Sequence, residues 1–299
     1  MFAPSSISSR QVAAPNRLAL DVVRNCLTVD VEEWFHICDV EALASPDRWD
    51  ELPSRVVANT RQLLELLDRR GVRATFFVLG WVALRYPALV EQIAGAGHEV
   101  ASHGHLHRPV YELTPDAFAD ELDRSVGALR AAGVESILGF RAPQWSINDR
   151  SMWALDILAR KGFRFDSSLT PLRIVGNPQF PLVPHARATP FGDVLEFPPL
   201  VERRFGQNFP LGGGWGLRMT DPRRVLARMD ECNRQGTPVA LFVHPWELDP
   251  DPPRVALPWS KRFIHYFRLT GFSERLELVL RAAPFAPMGD VLGLRPVDA

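Results

Sequence analysis

The sequence predicts an α/β protein built on a parallel sheet, and two observations carry that prediction. Short apolar segments of strand length alternate with amphipathic segments of helix length along most of the chain. Polar or ionisable residues, namely Asp30, Ser102, Arg141, Asp166 and His244, fall at or just beyond the C-terminal ends of five of those strands. Alternation of this kind implies right-handed crossovers between parallel strands. In a parallel barrel the strand ends converge on one face, where sites are built.

Taken in order, Cys26–Val31 reads as a strand that ends in acidic residues. Residues 54–70 read as a helix, with Val57, Leu63, Leu64, Leu66 and Leu67 at helical spacing and Gly71 as its stop. Strands at 72–79 and 99–102 flank a helix over 80–94 that runs through Pro87. Thr114 is the expected cap of a helix that begins at Pro115 and reaches about Ala132. The pattern then repeats as strand 137–141, helix 150–161 and strand 163–166. Residues 170–220 are rich in Pro and Gly and read as a site-building insertion before the last strands. Helix 221–235, strand 239–244 and helix 273–282 complete the alternation. The expected organisation is a flexible leader (1–22), one domain (23–290) with the 170–220 insertion and a 245–290 extension, and a tail (291–299).

Composition narrows the function. The chain has 299 residues, is 46% hydrophobic, and carries 34 Lys plus Arg against 35 Asp plus Glu, so 34 − 35 = −1. A near-neutral chain whose arginines are scattered is not a nucleic-acid binder working by bulk electrostatics. No run of about 18 apolar residues is present, so no membrane span is expected. The first twenty residues lack the basic-then-apolar order of a secretion signal, which points to the cytoplasm. Cys26, Cys38 and Cys232 are odd in number and lack metal-type spacing, consistent with a reducing compartment.

The strongest chemical signal is Ser102-His103-Gly104-His105-Leu106-His107. His103 and His107 lie four apart, and three histidines at one strand end are unusual in a chain that holds eight. Such a pair can reach one ion together, and imidazole suits Zn, with Co, Ni or Fe next, more than Mg or Ca. A surface histidine cluster is the plain alternative. The second signal is Thr28-Val29-Asp30-Val31-Glu32-Glu33-Trp34. Asp30 and Glu32 share one face of an extended backbone. Two acids so placed can split roles, one completing a metal shell and the other taking a proton from water. Trp34, Phe35, Trp145, Trp215 and Trp246 lie near these segments and offer flat surfaces to sugar rings.

These segments resemble the motifs of the NodB-homology polysaccharide deacetylases, carbohydrate esterase family 4, over roughly residues 26–285. His103 and His107 match the family's two metal-binding histidines, Arg141-Ala142-Pro143 its R-x-P motif, and Leu241–His244 a shifted L-x-H. The first motif has Asp30 and Glu32 where two adjacent acids are usual, and the fourth lacks its Trp, with Asp166-Ser167-Ser168 in its place. Stretches at 74–87, 140–147, 196–199, 212–215 and 244–250 are similar to a branch found with bacterial exopolysaccharide gene clusters, including the exosortase-associated ones. The resemblance implies a distorted, TIM-like (β/α) barrel and removal of N-acetyl groups from an N-acetylated sugar with one divalent metal, zinc first. It implies Glu32 (Glu33 as a substitute), His103 and His107 as metal ligands and Asp30 as base. His244 would be the acid, Arg141 would orient Asp30, and Asp166 would hold the His244 imidazole. Trp145, Trp215 and Trp246 would bind substrate, and a backbone N–H near Trp145 or Trp34 would meet the oxyanion. The competing expectations are an allantoinase-like hydrolase of a small amide and an inactive carbohydrate-binding protein.

Overall fold

The computed structural model describes residues 22–40, 43 and 45–294. The expected leader, apart from Val22, and residues 295–299 of the expected tail lie outside the described residues. Ten strands and ten α-helices are present among the described residues. Eight strands form one curled sheet in the order β10-β1-β2-β3-β4-β5-β7-β6. They are β1 (Cys26–Val31), β2 (Thr75–Val78), β3 (Glu99–Ser102), β4 (Gly139–Phe140), β5 (Phe165–Asp166), β6 (His185–Arg187), β7 (Val194–Glu196) and β10 (Ala240–Val243). All neighbours pair in parallel except β6, which runs antiparallel to β7. Just beyond β7 the chain reaches the other edge of the sheet. Pro199 and Gly213 bridge to Ala240 and Phe242 of β10. The distorted barrel is therefore closed by single bridges where a regular barrel would have a full strand pair.

The helices pack on the outside. α1 (Val56–Arg70) buries Leu63, Leu66 and Leu67 and stops at Gly71, whose φ of 62° is open to glycine at little cost. The expected single helix over 80–94 is two, α2 (Gly80–Arg85) and α3 (Pro87–Gly95). Pro87 forbids helical backbone at the residue before it, and Tyr86 takes φ −131°. α4 (Pro115–Ala131) starts as expected, with Thr114 accepting from Ala117 N–H at 3.2 Å. α5 (Trp153–Arg160) follows β4, and α7 (Pro222–Arg234) is capped by Asp221. α9 (Phe272–Ala282) is the helix expected at 273–282, whereas α8 (Trp259–Tyr266) and the short α10 (Met288–Val291) were not anticipated.

The 170–220 stretch is more than a loop. It supplies β6 and β7 of the barrel wall, the hairpin β8 (Val201–Arg204) with β9 (Gln207–Pro210), and α6 (Gly214–Met219). Its strands are three or four residues long, too short for alternation to show in the sequence.

Side-chain parity decides what faces the barrel interior. Leu27, Val29 and Val31 join the core between sheet and helices, so Cys26, Thr28 and Asp30 point inward. The same count turns Ala101, Ala240 and Phe165 inward. His103 and His244 continue the inward rows at the strand ends.

A candidate metal and acid–base site at the barrel mouth

A cavity of about 140 Å³ at the C-terminal ends of the strands is lined by Asp30, Glu32, His103, His107 and His244, with His36, Cys38, Trp145 and Trp246 among their neighbours. Glu32, His103 and His107 are all buried, and one potential ligand atom from each lies within 4.8 Å of the others. His103 Nδ1 contacts the Arg141 carbonyl at 2.8 Å. A carbonyl only accepts, so Nδ1 carries the proton and Nε2 keeps its lone pair for the cavity. Burial pushes the His103 imidazole down to about 4, so it is neutral and able to ligate near pH 7. Glu32 Oε2 is 2.7 Å from His107 Nε2 but has no hydrogen-bond partner of acceptable geometry. Burial opposes ionisation of Glu32, yet His107 above all, and His244, hold its carboxyl far below the usual range. Two imidazoles and an orphaned carboxylate oxygen are a donor set that fits a divalent cation of zinc type. Glu33, the expected substitute, is elsewhere. Its carboxylate binds Ser54 and the Arg55 N–H.

Beside this trio stands a candidate acid–base pair, Asp30 and His244. Arg141 donates from Nη1 to Asp30 Oδ1 at 2.7 Å and to Thr28 Oγ1 at 2.7 Å, and is locked further by Ser167. Asp30 Oδ2 lies 3.9 Å from His244 Nε2, and His244 Nε2 is 3.7 Å from Glu32 Oε1. The expected Asp166–His244 contact is not made. Phe165 points into the barrel, so Asp166, the next residue, points the other way. There it accepts from Ser168 Oγ, opposite Glu196 in register. Burial raises its carboxyl to about 6.

Glu247 occupies the place expected of Asp166. Its Oε2 accepts from the His244 backbone N–H at 3.0 Å and is 3.2 Å from His244 Nδ1. Its Oε1 accepts from Arg218 Nε at 3.0 Å. Arg218 is itself fully buried and donates to the carbonyls of Ile264 and Phe267. Burial works against charge on Glu247, but Arg218 and His244 outweigh it and hold the carboxyl below its ordinary range. Burial likewise lowers His244, and Glu247, Glu32 and Asp30 overcome it, so the imidazole is raised above its ordinary value. The i, i+3 spacing of His244 and Glu247 across a turn opened by Pro245 was the signal that could have revealed this pair. Arg218 left no comparable signal, because it comes from a separate helix. A Cβ on Gly214 would collide with the Glu247 carboxylate, which explains glycine there.

The aromatic residues divide. Trp246 is buried, donates from Nε1 to Glu32 Oε1 at 3.1 Å, and packs on His244 and His265. Trp145 and Trp215 are half-buried and line an adjoining cavity. The Trp145 backbone N–H itself is engaged by the Ala142 carbonyl at 3.0 Å. Backbone strain gathers here. His107, Gln144 and Trp145 have φ of 53°, 53° and 49°, each costing about 1–3 kcal/mol. His36 and Cys38 went unremarked in the sequence as cavity residues. His36 stacks beside His107, and Cys38 Sγ is 3.3 Å from His107 Nδ1.

Residues 48–165 match the polysaccharide deacetylase family, and residues 167–293 match a domain of unknown function, DUF3473. The similarity to the polysaccharide deacetylases lies in residues 48–165. Among the relatives of this chain, a peptidoglycan deacetylase-like protein of Gibberella zeae is 32% identical over 111 residues, 36% of this chain and 32% of that one. A chitooligosaccharide deacetylase of Bradyrhizobium sp. is 32% identical over 101 residues, 33% of this chain and 43% of that one. The match thus spans less than half the length of either relative. The fold is shared with a Mycobacterium smegmatis protein assigned to the polysaccharide deacetylases (TM-score 0.61, 22% identity, 97% of this chain and 98% of that one). It is also shared with a carbohydrate esterase family 4 pseudoenzyme from Bacillus anthracis (TM-score 0.51, 15% identity, 93% and 68%). A pseudoenzyme on the same fold means that activity must be argued from side chains. No helix among the described residues is long and apolar enough to cross a membrane.

Proposed function

We propose that the protein is a metal-dependent N-deacetylase of an N-acetylated saccharide, belonging to a bacterial exopolysaccharide or its lipid-linked precursor. The observation that supports this most directly is the convergence of Asp30, Glu32, His103, His107 and His244 on one buried cavity. Residues 23–290 act as one unit in this reading, since β1 and β10 pair and residues from both ends line that cavity. Glu32, His103 and His107 would hold a divalent ion, zinc by ligand chemistry. When bound, the ion supplies Lewis-acid polarisation of the scissile carbonyl and of water.

The remaining work falls to the chain's own groups. Arg141 occupies Asp30 Oδ1, so Oδ2 is the oxygen that accepts the proton of the attacking water. Glu247 engages His244 at Nδ1, which aims the Nε2 proton back at the cavity. From there it is delivered to the amide nitrogen, which otherwise leaves badly. Acetate then departs and a free amine stays on the sugar. The experiment is release of acetate from N-acetylated oligosaccharides by the metal-loaded and the chelator-stripped protein. Acetate from the loaded form alone is the expected result, and none from either overturns the reading.

Glu247→Gln tests the acid. Glu247 raises His244, so its neutralisation lowers the pH at which His244 loses its proton. The alkaline limb of kcat/KM moves to lower pH, while metal content stays whole. An unchanged pH profile would remove His244 or Glu247 from the mechanism.

A further inference from the structure

A histidine that ligates a metal through one ring nitrogen is usually held by the protein at the other. His103 is held at Nδ1 by the Arg141 carbonyl. His107 has a different partner. The group 3.3 Å from its Nδ1 is the thiol of Cys38, which lies 69 positions away in the sequence. Both residues are buried, and Cys38 has no part in the proton transfers.

The thiol has a second contact that sets the direction of the first. Cys38 Sγ donates to the His107 carbonyl oxygen at 3.5 Å. A carbonyl only accepts, so the thiol hydrogen points there and sulfur turns a lone pair towards the ring. Nδ1 therefore carries a proton, and Nε2 is the nitrogen left to ligate. Nε2 is also the nitrogen 2.7 Å from Glu32 Oε2. The thiol thus meets the ring on the edge away from Glu32, where it orients the imidazole without joining the three ligands. One side chain holds both the ring and the carbonyl of a residue whose φ is 53°. The Cys38 segment is itself tied down. Lys261 Nζ, from α8, donates to the Cys38 carbonyl and lies 3.2 Å from Asp39 Oδ2. That lysine belongs to the 167–293 region, so the second half of the chain supports a ligand supplied by the first.

We propose that Cys38 is a positioning residue for His107, fixing the tautomer and orientation in which that imidazole binds metal. The consequence for metal affinity rests on the metal site of the deacetylase reading, whereas the contact does not.

Zinc affinity is measured by chelator competition on the wild-type protein and on Cys38→Ala, Cys38→Val and Cys38→Ser. Alanine and valine, which offer the ring no lone pair, weaken binding about tenfold to a hundredfold, the usual cost of losing such a partner. Serine keeps a lone pair and a hydrogen to donate, and retains the wild-type affinity. Rescue by valine in place of serine would make Cys38 a packing residue and overturn the proposal. A thiolate charge-transfer band in the cobalt-loaded wild-type protein would overturn it too, by making Cys38 a ligand. Imidazole proton NMR reads the contact without metal. The His107 Nδ1–H signal, identified by its loss in His107→Ala, exchanges slowly in the wild-type and Cys38→Ser proteins and fast in Cys38→Ala. That pattern in a protein that takes up no zinc keeps the positioning contact and removes the metal reading. A signal indifferent to Cys38→Ala, or zinc affinity equal in all four proteins, overturns the positioning role.

Discussion

Replacing His107 or His103 with alanine abolishes bound metal and acetate release together, with turnover falling on the order of 10³-fold or more. The size follows from what those two imidazoles do. Among the described residues, three ligand atoms at the site lie within 4.8 Å of one another, so loss of either histidine leaves two. A Lewis acid contributes several kcal/mol of charge stabilisation, and each 1.36 kcal/mol is about tenfold in rate. His107 is also where the backbone sits at φ 53°, a strain that alanine, which keeps a Cβ, does not relieve. The check is metal stoichiometry on the purified variant beside its rate. A variant with full metal and normal turnover means that the ion is held elsewhere.

Asp30→Asn separates the base from the metal. Asparagine keeps the shape and one carbonyl oxygen for Arg141, but cannot take a proton from water. Metal content should stay at the wild-type level while kcat falls about 10²–10⁴-fold, the usual worth of a positioned general base. Asp30 and Arg141 are both buried, and breaking such a pair costs about 3–5 kcal/mol when one charge is left alone. The melting temperature should therefore drop as well. Arg141 retains Thr28 and Ser167 as partners, so the fold survives the change. Near-normal turnover in this variant would assign the base to another residue.

The local signals in the sequence were those with a fixed spacing. Asp30 and Glu32 at i, i+2 had to share a face, and β1 does turn that face inward. His103 and His107 at a strand end, Thr114 before Pro115, and Asp221 before α7 were legible for the same reason. Each is a short-range rule that one strand or one helix turn enforces by itself. The break at Tyr86 was legible too, and reading a helix through Pro87 ignored the constraint that proline places on its predecessor.

What the sequence by itself determined was the alternation of strands and helices, the strand-end rim of polar residues, and the ligand types gathered there. Tertiary structure alone decided which of those residues meet. Asp166 shares the rim but faces away from His244, because Phe165 took the interior position. Glu247 answers His244 because Arg218, from a different helix, neutralises it in a buried place. The 170–220 stretch became barrel wall because Pro199 and Gly213 found the free edge of β10 across the molecule. Contacts between distant segments depend on how the sheet curls and which strand edge is left unpaired, and no local pattern of residues encodes that.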